Sequence, residues 1–155
     1  MPQAPRIVAV DPHGPDARDA LTQYLNEILD RVAGITGVDP EQADDVDDYQ
    51  RPGGCFLLVY RDDAVAGCGA VRSIDARTGE LKRMWIHPDA RGAGLGSRLL
   101  DELVAHSRAL GHQRLVLDTN GVLVEALALY AKHGFLPIER YNDNPDATHF
   151  LGLTL

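Results

Sequence analysis

Apolar residues at Ala20, Leu21, Tyr24, Leu25, Ile28 and Val32 recur every third or fourth position after the strand-like run RIVAV, so a helix is expected across PDARDALTQYLNEILDRV. Residues 34–54 then turn polar and acidic, with Asp39, Glu41, Asp44, Asp45, Asp47 and Asp48, and leave room for at most one short helix. CFLLVYRDDAVAGCGAVRSI reads as a hairpin turning at Asp62 and Asp63, and ELKRMWIHP as a further strand stopped by Pro88. Leu95, Leu99, Leu100, Leu103, Val104 and Leu110 form the next helical stripe, with Gly111 as its C-terminal stop. RLVLDT is a buried strand, VLVEALALYAKH a helix apolar nearly all round and closed by Gly134, and FLPIERY with THFLGLTL a final hairpin. Consecutive antiparallel strands followed by alternating helices and strands predict an α/β (α+β) domain, a mixed and largely antiparallel sheet flanked by helices.

Length and composition narrow this picture. A chain of 155 residues, 45% of them hydrophobic, suits one domain spanning residues 1–155 with a real core. Its formal net charge of −8 speaks against nucleic-acid binding, which needs a basic surface. No stretch approaches the roughly 20 apolar residues of a membrane span, and MPQAPRIVAV lacks the apolar region of a signal peptide, so a cytoplasmic protein with no membrane partner is expected. Cys55 and Cys68 make neither a disulfide framework nor a zinc pattern and are expected as small core residues on neighbouring strands. His13, His87, His106, His112, His133 and His149 show no metal-ligand spacing, so no metal is expected.

The chemistry concentrates in IHPDARGAGLGSRLLDEL, where glycines at 92, 94 and 96 and arginines at 91 and 98 lead into a helix. The first N–H groups of a helix have no internal partner and its dipole places about +0.5 charge there, so this segment reads as a phosphate cradle. A dinucleotide-binding GxGxxG turn fits poorly: counted from Gly92 or Gly94, the third glycine falls on Ser97 or Leu99, and the preceding strands are hairpins. A Walker loop is excluded because no Lys followed by Ser or Thr closes the motif.

RGAGLG after ELKRMWIHPDA resembles the acyl-CoA-binding signature (Q/R)xxGx(G/A) of the GNAT superfamily of N-acetyltransferases, and LYAKHGF resembles its second hallmark, a Tyr shortly before a Gly-Phe pair. The order of strands and helices agrees along nearly the whole chain. The resemblance implies the GNAT fold, with the sheet splayed between the fourth and fifth strands, and acetyl-CoA as cosubstrate. The pyrophosphate would rest on Arg91, Gly92, Ala93, Gly94, Leu95, Gly96 and Ser97. The pantetheine arm would pair with the backbone of Met84, Trp85 and Ile86 beside a bulge. Many members hold the pantetheine with an Asn seven residues before the motif Tyr; Leu123 stands there in this chain, and Asn120, a turn earlier, is the substitute candidate. The acceptor implied is a small-molecule amine, with proteins as the rival substrate and a non-catalytic acyl-CoA-binding module as the rival class. A homodimer is compatible with the family.

Transfer to an amine needs its neutral form, which is only about one part in a thousand at pH 7.4 for a pKa near 10.4, so a base is useful. By family resemblance Glu80 is the first candidate, Asp118 the second and water the third, while Tyr130 would protonate the departing thiolate. Each has a plainer alternative: Glu80 as the polar end of a strand, Asp118 as a helix cap shared with Thr119 and Asn120, Tyr130 as core. The family's acceptor cleft would be walled by residues 34–54 and by RYNDNPDATHF, both rich in Asp and Asn, which favours a cationic amine. Arg140 with Arg72 and Lys82 is the competing arrangement, a clamp for an acceptor carboxylate.

Overall fold

Asp62 and Asp63 take φ of +51° and +64° between the paired residues Arg61 and Ala64, the two left-handed positions of a type I′ hairpin turn. This turn joins β2 (Gly54–Arg61) to β3 (Ala64–Ser73), and β4 (Thr78–Ile86) continues the antiparallel series. The computed structural model describes residues 4–32 and 45–155; the predicted acidic positions 39–44 lie outside them. The remaining elements are β1 (Arg6–Ala9), α1 (Pro15–Arg31), α2 (Leu95–Ala109), β5 (Arg114–Thr119), α3 (Val124–Lys132), β6 (Leu136–Pro137) and β7 (His149–Thr154). Single 3₁₀ turns stand at Val46–Tyr49 and Pro88–Ala90.

The seven strands form one sheet in the order β1-β2-β3-β4-β5-β7-β6, antiparallel throughout except for the parallel pair β4–β5. β2 is an unbroken apolar run because both its faces are covered: Leu57 and Val59 pack with Leu99, Leu100 and Leu103 of α2, while Phe56 and Leu58 pack with Ala17, Ala20 and Leu21 of α1. Cys55 and Cys68 lie on neighbouring strands, one in each core layer, both reduced and buried. Burial pushes the Cys55 thiol up to about 11, which leaves it a protonated, unreactive packing group.

Two irregularities in β4 decide where a ligand can go. Across from β3, Cys68 pairs with Trp85 but Ala70 with Lys82, so three steps of β4 oppose two of β3. Arg83 takes up the extra residue at φ +58°. This is a β-bulge with a non-glycine residue in the left-handed region, a conformation that costs about 1–2 kcal/mol. On the other edge, pairing with β5 covers only Thr78–Arg114, Gly79–Leu115 and Glu80–Val116. Beyond these pairs the two strands diverge, which is the splay the family resemblance implies.

The final hairpin is shorter than its sequence suggests. β6 keeps two residues, and the chain from 138 to 148 runs as a loop in which the Arg140 guanidinium donates to the carbonyls of Asn142, Asn144 and Ala147. Arg140 also sits 4.6 Å from the Phe150 ring centre, so it is spent on holding its own loop.

Candidate functional site

The splay opens a cavity of about 480 Å³ lined by residues 81–86 of β4, residues 117–119 of β5, the loop and first turn of α2, one side of α3 and the inner side of α1. At one end stands the glycine loop. Gly92 and Gly94 adopt φ of +88° and +79°, and a Cβ at either would meet nothing within 4 Å, so their identity answers to backbone conformation and open space. Gly94 is the N-cap of α2 and no side chain caps the helix, whose first N–H groups therefore face the cavity end unpaired by any cap. Gly96 has ordinary backbone geometry, and a Cβ there would touch Leu129 at 3.4 Å.

Arg91 is tied down differently from the expectation. Its Nη2 meets both carboxylate oxygens of Glu27 at 2.6 and 2.7 Å, and its Nε donates to the Ile86 carbonyl at 2.9 Å. Arg31 continues the chain of charges: it pairs with Glu27 at 3.6 Å and donates to Glu125 of α3, whose carboxyl is held at about 2, chiefly by that hydrogen bond. α1 is thereby linked across the cavity mouth to both the glycine loop and α3.

Toward the middle, Tyr130 owes its place to the end of α3. Gly134 at φ +91° closes the helix, its N–H donating to the Ala131 carbonyl and that of Phe135 to the Tyr130 carbonyl, both at 3.1 Å. This double bond pattern is a Schellman motif, and it stacks the Phe135 ring against Tyr130 with centres 5.7 Å apart. The Tyr-and-Gly-Phe signature is thus a helix stop that fixes a phenol at the cavity wall. Burial keeps that phenol above the ordinary range, so it holds its proton at neutral pH.

The two carboxylate candidates separate clearly. Glu80 is 1% exposed, sits where β4 and β5 are still paired, and is not among the residues lining the cavity. Its oxygens accept from Arg72 Nε at 2.8 Å and from Tyr141 Oη at 2.6 Å. Asp118 lies just past the divergence and lines the cavity. One of its oxygens accepts from Asn142 Nδ2 at 2.5 Å; the other has no hydrogen bond among the described residues. It caps nothing, because α3 begins at Val124 with Leu123 before it. Asn120 is also absent from the lining: its Nδ2 donates to the Asp146 carbonyl and its Oδ1 accepts from the Val122 N–H. Met84, Trp85, Ile86, Leu95 and Ser97 line the cavity and Ala93 does not.

The bulge residue is over-determined by its neighbours, as a strained backbone must be. Arg83 donates to both oxygens of Asp45 at 3.1 and 3.2 Å and to Tyr49 Oη at 3.3 Å, and lies 5.9 Å from the centre of the Tyr24 ring. Its carbonyl accepts from the Cys68 thiol. Tyr24, on α1, faces the cavity opposite Tyr130, and burial raises its pKa as well. Tyr24 and Arg83 escaped the sequence reading as site residues, whereas Asn142 and Asn144 belong to RYNDNPDATHF, one of the walls it expected. The consecutive polar pair Lys82-Arg83 inside an alternating strand was the available signal for the bulge.

The described acids of the first expected wall are engaged in internal pairs. Asp45 goes to Arg83, Asp48 to Arg72 at 3.3 Å and Asp47 to His13 at 2.7 Å. Among the described residues lining the cavity, Arg31, Lys82, Arg83, Arg91 and Lys132 outnumber Glu27, Asp118 and Glu125 by two charges, in a chain of net charge −8. The cavity is the place in this acidic protein that favours an anion.

Comparison with known proteins agrees with this geometry. The model of the Acetyltransferase (GNAT) family matches residues 20–135. The chain belongs to the GNAT family of acetyltransferases. An IAA acetyltransferase of Azospirillum brasilense is 37% identical over 134 residues, covering 83% of this chain and 86% of that protein. The crystal structure of a GNAT-family acetyltransferase from Staphylococcus aureus superposes with a TM-score of 0.82 at 19% identity, covering 97% of this chain and 99% of that one. A GNAT-family acetyltransferase from Elizabethkingia anophelis, crystallised with acetyl-CoA bound, superposes with a TM-score of 0.69 at 20% identity, covering 97% and 98%. GNAT membership and the splayed mixed sheet are thus established together.

Proposed function

We propose that the chain is an acetyl-CoA-dependent N-acetyltransferase acting on the primary amine of a small molecule by direct transfer. One observation carries the reading: a single cavity between β4 and β5 has an uncapped helix N-terminus with two left-handed glycines at one end and a free carboxylate oxygen beside a protonated phenol at the other. The residues fit acetyl-CoA. Gly92 and Gly94 leave room for a pyrophosphate against backbone N–H groups, and residues 84–86 of β4 line the cavity next to the unpaired edge of the strand.

Acetyl-CoA supplies the acetyl group as a thioester, and this chain supplies the proton traffic. Asp118 takes a proton from the acceptor ammonium on its free oxygen while Asn142 holds the other, which fixes the carboxylate plane. The Tyr130 hydroxyl gives its proton to the departing sulfur and recovers one from the second proton the amine sheds as it becomes an amide. Asp118 replaces Glu80 as the leading base because Glu80 is closed off between Arg72 and Tyr141. The test is release of free thiol from acetyl-CoA across amines, amino acids, peptides and aminoglycosides. Turnover on a small amine supports the proposal, turnover confined to peptides replaces it with protein acetylation, and tight CoA binding without any turnover replaces it with a binding module.

A further inference from the structure

Resting on the acetyltransferase reading, we propose that the acceptor is a small amino acid with a free carboxylate, and that Lys82 seats that carboxylate. The bulge turns Lys82 and Arg83 to one face of β4, where both approach Asp45. Asp45 cannot serve them equally. It accepts from Arg83 on both oxygens and from Tyr49 Oη at 2.6 Å, whereas Lys82 Nζ stands 3.7 Å away, beyond hydrogen-bond distance. Two cations thus face one carboxylate, and the geometry assigns that carboxylate to Arg83.

Lys82 is left with three donors, no hydrogen bond from them to any described residue, and a side chain only 22% exposed on the cavity wall. Its ion pair with Asp45 is long and shared with Arg83 and Tyr49, so a half-buried cation with all three donors open gains from a second anion. Trp85, further along the same strand, also lines the cavity, and its buried indole N–H has no hydrogen-bond partner among the described residues. A second unmet donor therefore belongs to the same wall. Across the cavity, Asp118 offers one unoccupied carboxylate oxygen. This end of the cavity presents one positive group with open donors and one available negative group, the complement of a zwitterion. A polyamine would bring a further positive charge toward Lys82, and an amino acid with its carboxyl masked would leave the lysine unmatched.

The experiment compares kcat/KM for thiol release with a panel of amino acids and the carboxamide of each, in the wild type, Lys82→Gln and Lys82→Arg. For the best acceptor the acid should exceed its amide by roughly 10–100-fold. Lys82→Gln should bring the acid-to-amide ratio close to one, and Lys82→Arg should restore most of it. Amides or simple amines equal to or better than the acids in the wild type would overturn the proposal while leaving the acetyltransferase reading intact. So would an acid preference that survives Lys82→Gln. No thiol release from any amine, with acetyl-CoA binding retained in a titration, would overturn both.

Discussion

The parallel pair β4–β5 has two halves built from similar residues and used in opposite ways. In the paired half, polar groups are buried and matched. Glu80 lies between Arg72 and Tyr141, and His112 bridges Ser107 at 2.8 Å and Ser73 at 2.7 Å. In the splayed half, polar groups are buried or half-buried and left open among the described residues: one oxygen of Asp118, the Lys82 donors beyond hydrogen-bond distance of Asp45, the indole N–H of Trp85 and the uncapped start of α2. A buried polar group without a partner costs about 1–3 kcal/mol, so its persistence points to a partner that the described residues do not supply. The difference separates residues that hold the sheet together from residues that await a ligand.

Exchanging the two carboxylates for their amides should break the comparison most sharply. Asp118→Asn removes the proton acceptor, so kcat/KM should fall by roughly 100–1,000-fold and its rise with pH should flatten, with the melting temperature little changed. Glu80→Gln should do the reverse. It leaves the half-exposed Arg72 with Asp48 alone, at a cost of about 1–2 kcal/mol, seen as a lowered Tm with the pH–rate profile kept in shape. A flattened profile in Glu80→Gln and an unchanged one in Asp118→Asn would return the base to the paired half.

Gly94→Glu tests the far end of the splay. A carboxylate at the helix start opposes the field that draws phosphate, and a side chain there must also adopt the left-handed φ. Calorimetric titration should show affinity for CoA reduced by about 100-fold in a protein that still folds. Unchanged affinity would remove the loop from the site.

Tyr130→Phe keeps the ring against Phe135 and deletes the hydroxyl. We expect kcat to fall about 10-fold with CoA affinity nearly constant, since the loss falls on the leaving group alone. Equal turnover would mean that water protonates the thiolate.

The sequence made the glycine-loop end of the cavity far more legible than the opposite end, for a physical reason. The glycine loop and the Tyr-and-Gly-Phe helix stop are each contained within a few consecutive residues, so the loop reads from its spacing and the helix stop through the family resemblance. The opposite end is assembled from Tyr24 on α1, Arg83 on β4 and Asp118 on β5, the last held by Asn142 of the final loop, segments far apart in sequence. Acidity was misleading for the same reason: Asp45 and Asp48 read as a free negative wall in the sequence, yet folding places Arg83 and Arg72 against them. Glu80 is a similar case. Its offset from the cofactor strand is right, but where strand pairing stops decides whether a carboxylate faces the cavity, and that register is not written locally.

The smallest effect expected belongs to His112 and falls on stability alone. Its ring is 5% exposed, and Gly79 must lack a side chain because a Cβ there would stand 2.4 Å from Nδ1. Ser73 Oγ donates to the Gly53 carbonyl, so it accepts from Nε2–H, and Nδ1 in turn accepts from Ser107 Oγ. A neutral imidazole satisfies this arrangement, and a protonated one would require the Ser107 hydroxyl to turn and give up its donation to the ring. Burial accordingly lowers the His112 pKa below the ordinary 6.5, against a weaker opposing pull from Asp75. The unfolded chain therefore binds the proton first as pH falls. Stability from this group is complete above 6.5 and declines below it, until the folded form is protonated as well. The Tm of the wild type should drop as pH is lowered below 6.5, and His112→Gln should show a lower Tm at pH 8 with a shallower decline on acidification. Since His112 lies in the paired half, kcat/KM at pH 8, measured well below that Tm, should stay within about 2-fold of wild type; a larger loss of activity would show that the two halves of the β4–β5 pair are coupled.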